Sequence, residues 1–394
     1  MTKESLVRKT LLAAAIAAGL LMPGAAALAQ SAPGDSSQLD DLKAQLAALQ
    51  AQVAQIEQHQ ATAAAAPSSD ASKRLDALEK LVNDTKISGV SFVDFTNIDQ
   101  TNRGAKTAAS GDGLDVKRFY LSVDHRFSDI WSANLTTDFN YTAVTGQTQL
   151  FVKKAYLQGA FSPLATLRVG SANMPWIPLV EDWYGYRFVE NTLVDRMKVG
   201  NSADWGAHLL GDNGTLNYQV SVVNGGGYKN PTRTDHVDFE ARVGIQPIKG
   251  LLVAVGGYDG DLGKDTATTP ALHTARRYDA LAAWNRDGLR LGAEWFRATN
   301  WQNVATATTD AATGWSLWGS YDFGRVAAFG RYDRSKPSTT LDPTRSDRYW
   351  NAGLAMPFGK GLRVALAYKD DHLANATTLD MHTREVGLWG EVKW

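Results

Sequence analysis

The last ten residues, 385–394, read EVGLWGEVKW and indicate the fold of the chain. Counted by twos from the end, one set is apolar or small: Trp394, Val392, Gly390, Leu388 and Val386. The alternate set is mostly charged: Lys393, Glu391, Trp389, Gly387 and Glu385. A period of two is typical of a β-strand whose two faces meet different environments. Because termini fray, a half-apolar strand in this position must be held by pairing with another strand.

The first 29 residues have the pattern of a secretory signal peptide. Lys3, Arg8 and Lys9 precede an apolar stretch, and Ala27-Leu28-Ala29 supplies the small residues of a cleavage site. We therefore predict a signal peptide at residues 1–29. A transmembrane anchor is the alternative, although Pro23-Gly24 interrupts the stretch. No other stretch approaches the ~18 consecutive apolar residues that a membrane helix needs.

The composition excludes several classes of protein. The chain has no cysteine, so a disulfide scaffold and a thiolate metal site are both excluded. A net charge of -1 gives no global basic surface for nucleic acid. We find no zinc-binding His-Glu motif, no calcium loop and no phosphate-cradling glycine loop. The sequence therefore predicts no cofactor, no metal site and no nucleic-acid partner.

Residues 30–85 predict helices rather than strands. Apolar residues spaced alternately by three and four form a heptad pattern: Leu39, Leu42, Leu46, Leu49, Val53 and Ile56. After a linker at 61–72, a shorter helix repeats the spacing with Leu75, Leu78 and Val82. We predict a periplasmic coiled coil with a linker, able to contact peptidoglycan. The alternative is a single amphipathic helix lying on the protein's own barrel.

From residue 86 to residue 394 the period is two. We predict sixteen strands, at 87–98, 116–127, 130–141, 149–161, 165–171, 203–211, 215–223, 236–246, 250–258, 275–285, 288–298, 313–323, 325–333, 347–358, 361–371 and 383–394. Short turns such as DNG and NRDG alternate with longer connections. Short turns at one rim and long loops at the other are typical of an outer-membrane barrel. The predicted fold is all-β: a sixteen-stranded antiparallel transmembrane β-barrel.

Aromatic residues agree with a membrane barrel. Most of those on the predicted outer face lie near strand ends, where rings with a polar atom suit the lipid headgroups. The last strand must pair with the first, since an open edge in lipid leaves main-chain groups without partners. Leu388, Val392 and Trp394 also have the pattern of a terminal signal for the barrel assembly machinery.

The inward face is predicted to be polar, as expected of a water-filled lumen. Basic and acidic inward positions occur in equal number, so the wall as a whole predicts no anion selectivity. Inward charges along the wall include Arg118, Arg126, Asp138, Asp238, Glu240, Arg290, Glu294, Arg331 and Arg363. Selectivity must therefore depend on the charges at the narrowest point.

The connection at residues 171–202 is the longest, and it is rich in aromatic residues. So many rings need a surface to pack on, so we predict that this third loop folds into the lumen and narrows it. An ordered cap outside the barrel is the alternative. The predicted pore constriction combines wall and loop residues: Lys154, Arg168, Glu181, Asp182, Arg187 and Arg242.

Four stretches resemble the phosphate-selective porin O and P family: RFYLSVDHRF at 118–127, KKAYLQGAFSPLATLRVGSANMPW at 153–176, YRFVENTLVDR at 186–196 and DWGAHLLG at 204–211. The resemblance implies a homotrimeric, sixteen-stranded porin in a Gram-negative outer membrane. It also implies that inward arginines and lysines bind phosphate. The equal number of acids and bases departs from that pattern, so a specific phosphate pore and a weakly selective pore both remain open.

The sequence as a whole predicts a porin, a water-filled channel for passive diffusion of small hydrophilic solutes and ions, anions such as phosphate among them. The expected partners are outer-membrane lipid and two further copies of the chain. A barrel enzyme is one alternative, but neither His125 nor His208 lies in a catalytic motif. A structural protein that tethers the membrane to the cell wall is the other.

Overall fold

The computed structural model describes residues 36–64, 69–142 and 147–394. The predicted signal peptide at 1–29 lies outside the described residues. The chain divides into two compact units, Met1–Asp76 and Ala77–Trp394. Two helices come first: α1 at Ser36–Ala64 and α2 at Ser69–Asp84. In the described ranges, no helix is long and apolar enough to cross a membrane.

The helices are longer than the sequence predicts. The predicted linker at 61–72 is helical at both of its ends, since α1 continues to Ala64 and α2 begins at Ser69. Alanine is the strongest helix former, so the alanines after residue 60 extend α1. The middle of the predicted linker, residues 65–68, lies outside the described residues.

The rest of the chain is a β-barrel. Its strands are β1 (Thr85–Asn102), β2 (Ala105–Lys106), β3 (Gly111–Arg126), β4 (Trp131–Thr142), β5 (Gln147–Ser162), β6 (Ala165–Asn173), β7 (Ala203–Asp212), β8 (Leu216–Val223), β9 (Asp238–Ile245), β10 (Leu251–Gly260), β11 (Ala275–Arg286), β12 (Leu289–Thr299), β13 (Ala311–Asp322), β14 (Ala327–Lys336), β15 (Ser346–Pro357), β16 (Leu362–Ala374) and β17 (Asp380–Lys393). Two short helices, α3 (Ile177–Tyr184) and α4 (Leu193–Arg196), lie between β6 and β7. The two-residue β2 extends the β1–β3 hairpin. The other sixteen strands form the wall and confirm the prediction.

Each strand of the wall pairs antiparallel with its neighbours in the chain, and the ring closes between β1 and β17. The closing ladder runs from Val90 opposite Lys393 to Asn102 opposite Met381. It continues by one step, because Gly89 N donates to Trp394 O at 3.1 Å and Trp394 N donates to Gly89 O at 3.2 Å. The last residue is therefore fixed by main-chain pairing, as the alternation in residues 385–394 predicts.

The two faces of the wall differ as the period of two requires. On β9, Asp238 and Glu240 are buried while Phe239, Val243 and Ile245 are exposed. An exposed apolar face and a buried polar face are the reverse of a soluble protein. In a closed barrel the buried face is the inward one, so the polar side chains line the interior.

The short turns and the long loops lie at opposite ends of the strands. The turn from β11 to β12 is built on Asp287-Gly288, both with positive φ, at 54° and 79°. Two positive φ values give the turn type that matches the twist of adjacent strands. We use the terms short-turn end and long-loop end for the two rims.

The ring of Trp394 lies directly over Gly89, where any larger residue would clash with it, and its centroid is 5.6 Å from that of Phe119. We predict that Trp394→Asp sharply lowers the amount of folded barrel, because a charge replaces an apolar contact at the closing seam. Heat-modifiable mobility in gel electrophoresis measures the folded fraction. Trp394→Phe is the matched control and should assemble normally. Wild-type levels of folded Trp394→Asp would contradict the prediction.

Candidate functional site

The segment between β6 and β7, residues 174–202, is the most deeply buried non-strand part of the described chain. Pro178 lies in the first turn of α3, where the missing N–H needs no partner. Gly185 ends α3 with φ at 75°, a conformation that favours glycine. The buried apolar side chains of the segment form one cluster: Met174, Trp176, Ile177, Val180, Tyr184, Tyr186, Phe188, Val189, Leu193, Val194 and Val199.

Trp176 joins this segment to two inward acids of the wall. Its main-chain N–H donates to Glu240 Oε1 at 3.0 Å, and its indole Nε1 donates to Glu294 Oε1 at 2.9 Å. The side chain is fully buried. Both acids were predicted as inward charges, and the structure shows that each contacts the segment.

Inward basic residues hold the main chain of the segment. Arg277 donates to Val199 O at 2.7 Å, and Arg363 donates to Gly185 O at 2.7 Å. Arg290 donates to the carbonyl oxygens of Asp182 and Trp183, each at 2.9 Å. Arg331 binds the carbonyl of Asn191. Carbonyl groups outside regular structure need donors when they are buried, so these arginines stabilise the segment by supplying donors to its main chain.

Ion pairs add to the same attachment. Arg196 contacts Asp333 at 3.1 Å, Asp347 at 2.5 Å and Asp371 at 3.5 Å. Glu190 contacts Lys369 at 3.4 Å. Most of these groups are buried, and a buried charge that loses its partner is costly. The segment is therefore bound tightly to the strands β14–β16.

The residues predicted for the constriction fall into two groups. Glu181 and Arg187 form an ion pair within the segment, and Arg187 also contacts Asp195 at 3.6 Å. Asp182 is exposed, and its main-chain carbonyl oxygen accepts the hydrogen bond from Arg290 described above. Thus the structure brings the three loop residues of the prediction together on one segment.

The wall residues of the prediction lie elsewhere. Arg168 donates to Gln158 at 2.8 Å and lies 5.0 Å from the ring of Tyr156. Arg242 donates to Asn217. The third, Lys154, is half-buried on β5. For Lys154, Arg168 and Arg242, no contact with the segment occurs among the hydrogen bonds and ion pairs of the described residues.

The other predicted inward charges also have partners. Arg118 contacts Asp138 at 3.3 Å. Asp238 accepts hydrogen bonds from Asp261 N and Leu262 N, each at 2.8 Å. Arg126 lies at the short-turn rim, exposed and paired with Asp84 at 2.8 Å.

Lys117 and Lys153 also face inward, which a strict period of two does not predict. The β1–β3 register shifts between Phe92 and Val93, and the β4–β5 register shifts between Thr136 and Thr137. Each β-bulge turns two adjacent basic residues to the same side, Lys117 with Arg118 and Lys153 with Lys154. Lys117 accordingly reaches Val189 O at 3.3 Å, and Lys153 lies 4.5 Å from the ring of Tyr120. The sequence does contain a signal for these bulges, namely the adjacent basic residues at 117–118 and 153–154. Strict alternation would turn one charge of each pair outward.

Three cavities meet at Arg187. One of about 400 Å³ is lined by Phe92, Tyr120 and Lys153 together with Glu181 and Arg363. Two others, of about 320 Å³ and 330 Å³, are both lined by Arg118 and Arg187. Lys154, Arg168 and Arg242 line none of the three. Open space therefore lies between the segment and the wall formed by β1, β3 and β5.

Two further groups bear on catalysis and metal binding. His208 Nδ1 and Ser221 Oγ are 2.8 Å apart, but both residues are fully buried, so the serine is closed to a substrate. His236, Asp261 and Asp265 lie in long loops with ligand atoms within 4.8 Å of one another. A hydrogen bond to Asp265 raises the pKa of His236.

Comparison with solved structures finds the same fold. An anion-selective porin from Comamonas acidovorans has 11% identity, with a TM-score of 0.59 over 79% of this chain and 99% of that one. The outer-membrane channel DcaP of Acinetobacter baumannii has 10% identity, with a TM-score of 0.56 over 79% and 97%. A trimer form of Vibrio cholerae OmpT has 10% identity, with a TM-score of 0.53 over 79% and 99%.

No family model matches the chain, and no curated protein matches it. Identities this low show the fold of the barrel and nothing finer.

We predict that Trp176→Ala loosens the segment at 174–202, because it leaves a cavity and removes the donor to Glu294. Replacing a fully buried Trp by Ala costs about 3–5 kcal/mol. Limited proteolysis of the folded barrel, followed by mass spectrometry, should show faster cleavage within 174–202.

Trp183→Ala is the matched control, because Trp183 lies on the same helix but is only half-buried. It should change the cleavage rate less. Equal protection of Trp176→Ala and the wild type would show that the segment is held without this side chain.

Proposed function

We propose that the protein is a porin of a Gram-negative outer membrane, through which small hydrophilic solutes and ions diffuse passively. The observation that carries the proposal is the closed barrel of sixteen strands with a polar inward face and an apolar outward face. A barrel of this size is wide enough for an aqueous channel, whereas eight strands are filled by side chains. The fold shared with solved porins supports the proposal.

We further propose that the segment at 174–202 lies across the lumen and narrows it. Its contacts with inward residues of β9, β11, β12 and β14–β16 support this arrangement. The solute path then runs on the other side of the segment, past the cavities that meet at Arg187. In this proposal the constriction is formed by Arg187 and Glu181 on the segment and by Arg118 and Lys153 on the wall.

The charges at this constriction favour anions, although the wall as a whole has as many acids as bases. On the β11–β17 side the inward acids are engaged: Asp279 contacts Arg277 at 2.9 Å, Glu385 contacts Lys369 at 3.1 Å and Glu391 contacts Arg363 at 2.9 Å. On the open side, Lys153 has no ion-pair partner among the described residues. Unpaired charge determines the field in the path, so we propose a preference for anions.

Phosphate is one candidate anion, as the resemblance to the phosphate-selective family implies. Lys153 and Arg118 could hold an anion by charge-assisted hydrogen bonds, with the ring of Tyr120 beside them. The acids Glu181, Asp138 and Asp195 lie close to the same path. We therefore propose a general channel with modest anion preference, and phosphate specificity is the alternative that the experiment distinguishes.

Single-channel recording in planar bilayers tests the function. The wild-type protein should conduct in steps, and its reversal potential in a chloride salt gradient should show anion preference. Lys153→Gln should shift the reversal potential toward cations, because it removes an unpaired charge from the constriction. Lys360→Gln, in the short turn between β15 and β16, is the matched control and should leave the potential unchanged.

Titration with phosphate separates the two kinds of pore. Half-block of the chloride current below about 1 mM phosphate would indicate specific binding. The general channel predicts no block in that range. Absence of conductance from correctly folded protein would reject the porin function itself.

We propose that the N-terminal helices form a periplasmic coiled coil of three chains. The heptad residues Leu46, Leu49, Val53 and Ile56 are all exposed in the single chain, as a stripe that needs a partner would be. A heptad stretch this short needs its partners held nearby, which a trimeric barrel would do. Peptidoglycan and the barrel assembly machinery remain proposed partners, for the helices and for Trp394 respectively.

We predict that deletion of residues 39–82 leaves the trimer and its conductance intact, since the barrel closes through its own strands. Crosslinking and bilayer recording measure the two properties. Loss of the folded barrel would contradict the prediction. If the protein were chiefly a structural tether, deletion would instead weaken the attachment of the envelope while the wild type conducted poorly.

A further inference from the structure

The outward face of β12–β15 carries basic residues at its long-loop end, above an otherwise apolar surface. Arg297, Arg334, Lys336 and Arg348 are all exposed there. The register places Thr313 of β13 opposite both Arg297 and Lys336, so these two lie two strands apart. Neighbouring strands are about 4.8 Å apart, so the two Cα atoms are separated by about 10 Å. We call these four residues the outer basic cluster.

A row of aromatic residues lies directly below the outer basic cluster. Trp295 precedes Arg297 by two residues on the same face of β12, and Tyr332 precedes Arg334 in the same way on β14. On β15, which runs in the opposite direction, Trp350 follows Arg348 by two residues. Aromatic residues on the outside of a barrel mark the level of the lipid headgroups. The cluster therefore lies at, or just beyond, the charged part of the headgroup layer.

The outer basic cluster lacks acidic partners. None of its four residues forms an ion pair with another residue of 36–64, 69–142 or 147–394. Arg334 and Arg348 are also directly opposite each other in the β14–β15 ladder. Like charges in opposite positions on one face destabilise a sheet, so this arrangement calls for an anion between them.

Basic residues to either side at the same end of the barrel are paired instead. On β10 and β11, Arg276 contacts Asp259 at 2.8 Å. On β16 and β17, Asp370 contacts His382 at 2.8 Å and Arg384 at 3.9 Å. The lack of acidic partners is thus not a general property of the neighbouring strands at this rim.

An apolar groove of about 560 Å³ lies on the same outward face, immediately below the cluster. Its floor is formed by the small residues Ala280, Ala282 and Ala293, and its walls include Val253 and Trp295. Arg297 lies opposite Tyr278, one outward position beyond the pair formed by Ala280 and Trp295. A chain bound in the groove would therefore end at the basic cluster.

We propose that this face is a binding site for a phosphorylated lipid of the outer leaflet, with phosphate on the outer basic cluster and an acyl chain in the groove. The proposal rests on the proposed function, because membrane insertion makes the outward face a lipid surface and the long-loop end the external one. Charge complementarity selects the lipid class, since exposed arginines bind phosphate in a forked geometry. The apolar groove explains why the site would bind a lipid rather than inorganic phosphate, since it provides a surface for an acyl chain.

The test compares binding of bis-phosphorylated lipid A and dephosphorylated lipid A to the full chain in detergent micelles, measured by native mass spectrometry. The wild type should prefer the phosphorylated form. Arg334→Gln with Arg348→Gln should weaken that binding about fivefold per arginine removed. The matched control is Arg276→Gln with Arg384→Gln, which removes two paired arginines at the same end and should bind like the wild type.

Two further arms identify the parts of the site. Ala293→Phe, which fills the groove, should weaken binding of both lipids. Inorganic phosphate should compete only weakly, because it lacks an acyl chain. Arg297→Gln alone provides a second variant if the double variant fails to fold, as judged by heat-modifiable mobility.

Equal binding of the two lipids, or wild-type binding by the Arg334 and Arg348 double variant, would overturn the proposal. Dissociation of an oligomer by that variant would also overturn it, since the face would then be a contact between copies of the chain. Conductance in phosphatidylcholine bilayers tests the porin function separately, and the variants should conduct like the wild type. If the protein bound phosphorylated lipid A selectively but did not conduct, the porin function would be rejected while the proposal of a lipid site would stand.

Discussion

Pairing of the main-chain groups between β1 and β17 is the constraint on which the rest of the structure depends. A strand in lipid finds no water for its N–H and C=O groups, so a membrane sheet is stable only when it has no edge. The ladder between β1 and β17 removes that edge, and it extends to Trp394, the last residue of the chain. An inside and an outside exist only because the ring closes, and the sorting of side chains follows from that.

The lipid around the barrel also constrains the side chains, and this constraint explains the two β-bulges. A charged residue on the outward face of a membrane strand is costly, so adjacent basic residues cannot simply alternate. The register shifts in β3 and β5 turn Lys117 and Lys153 inward beside Arg118 and Lys154. The bulges therefore concentrate positive charge on one side of the interior, where the open space also lies.

The charged side chains inside the barrel fall into two groups, those with an ion-pair partner and those without one. On β11–β17, arginines such as Arg277 and Arg331 each bind an acid of the wall and a carbonyl of the segment at 174–202. These charges are neutralised and hold the segment. Lys153 on β5 has no ion-pair partner among the described residues, and it lines the largest of the three cavities that meet at Arg187. A count of acids and bases treats both groups alike, which is why it predicts a neutral wall, whereas the pairing of these charges is the basis on which we propose a preference for anions.

The sequence by itself determined the class of fold, the number of strands, the closing strand and the polarity of each face. It could do so because these depend on local periodicity, on turn residues and on the rule that a membrane sheet has no edge. It also identified the aromatic connection at 171–202 and its charges Glu181, Asp182 and Arg187. Only the tertiary structure decided which wall residues meet that segment. Lys154, Arg168 and Arg242 were chosen by their depth along the strands, but the two β-bulges and the pairing of Arg118 with Asp138 depend on register between strands. Register is set by contacts far apart in the chain, and one residue of shift changes which side chain faces the path.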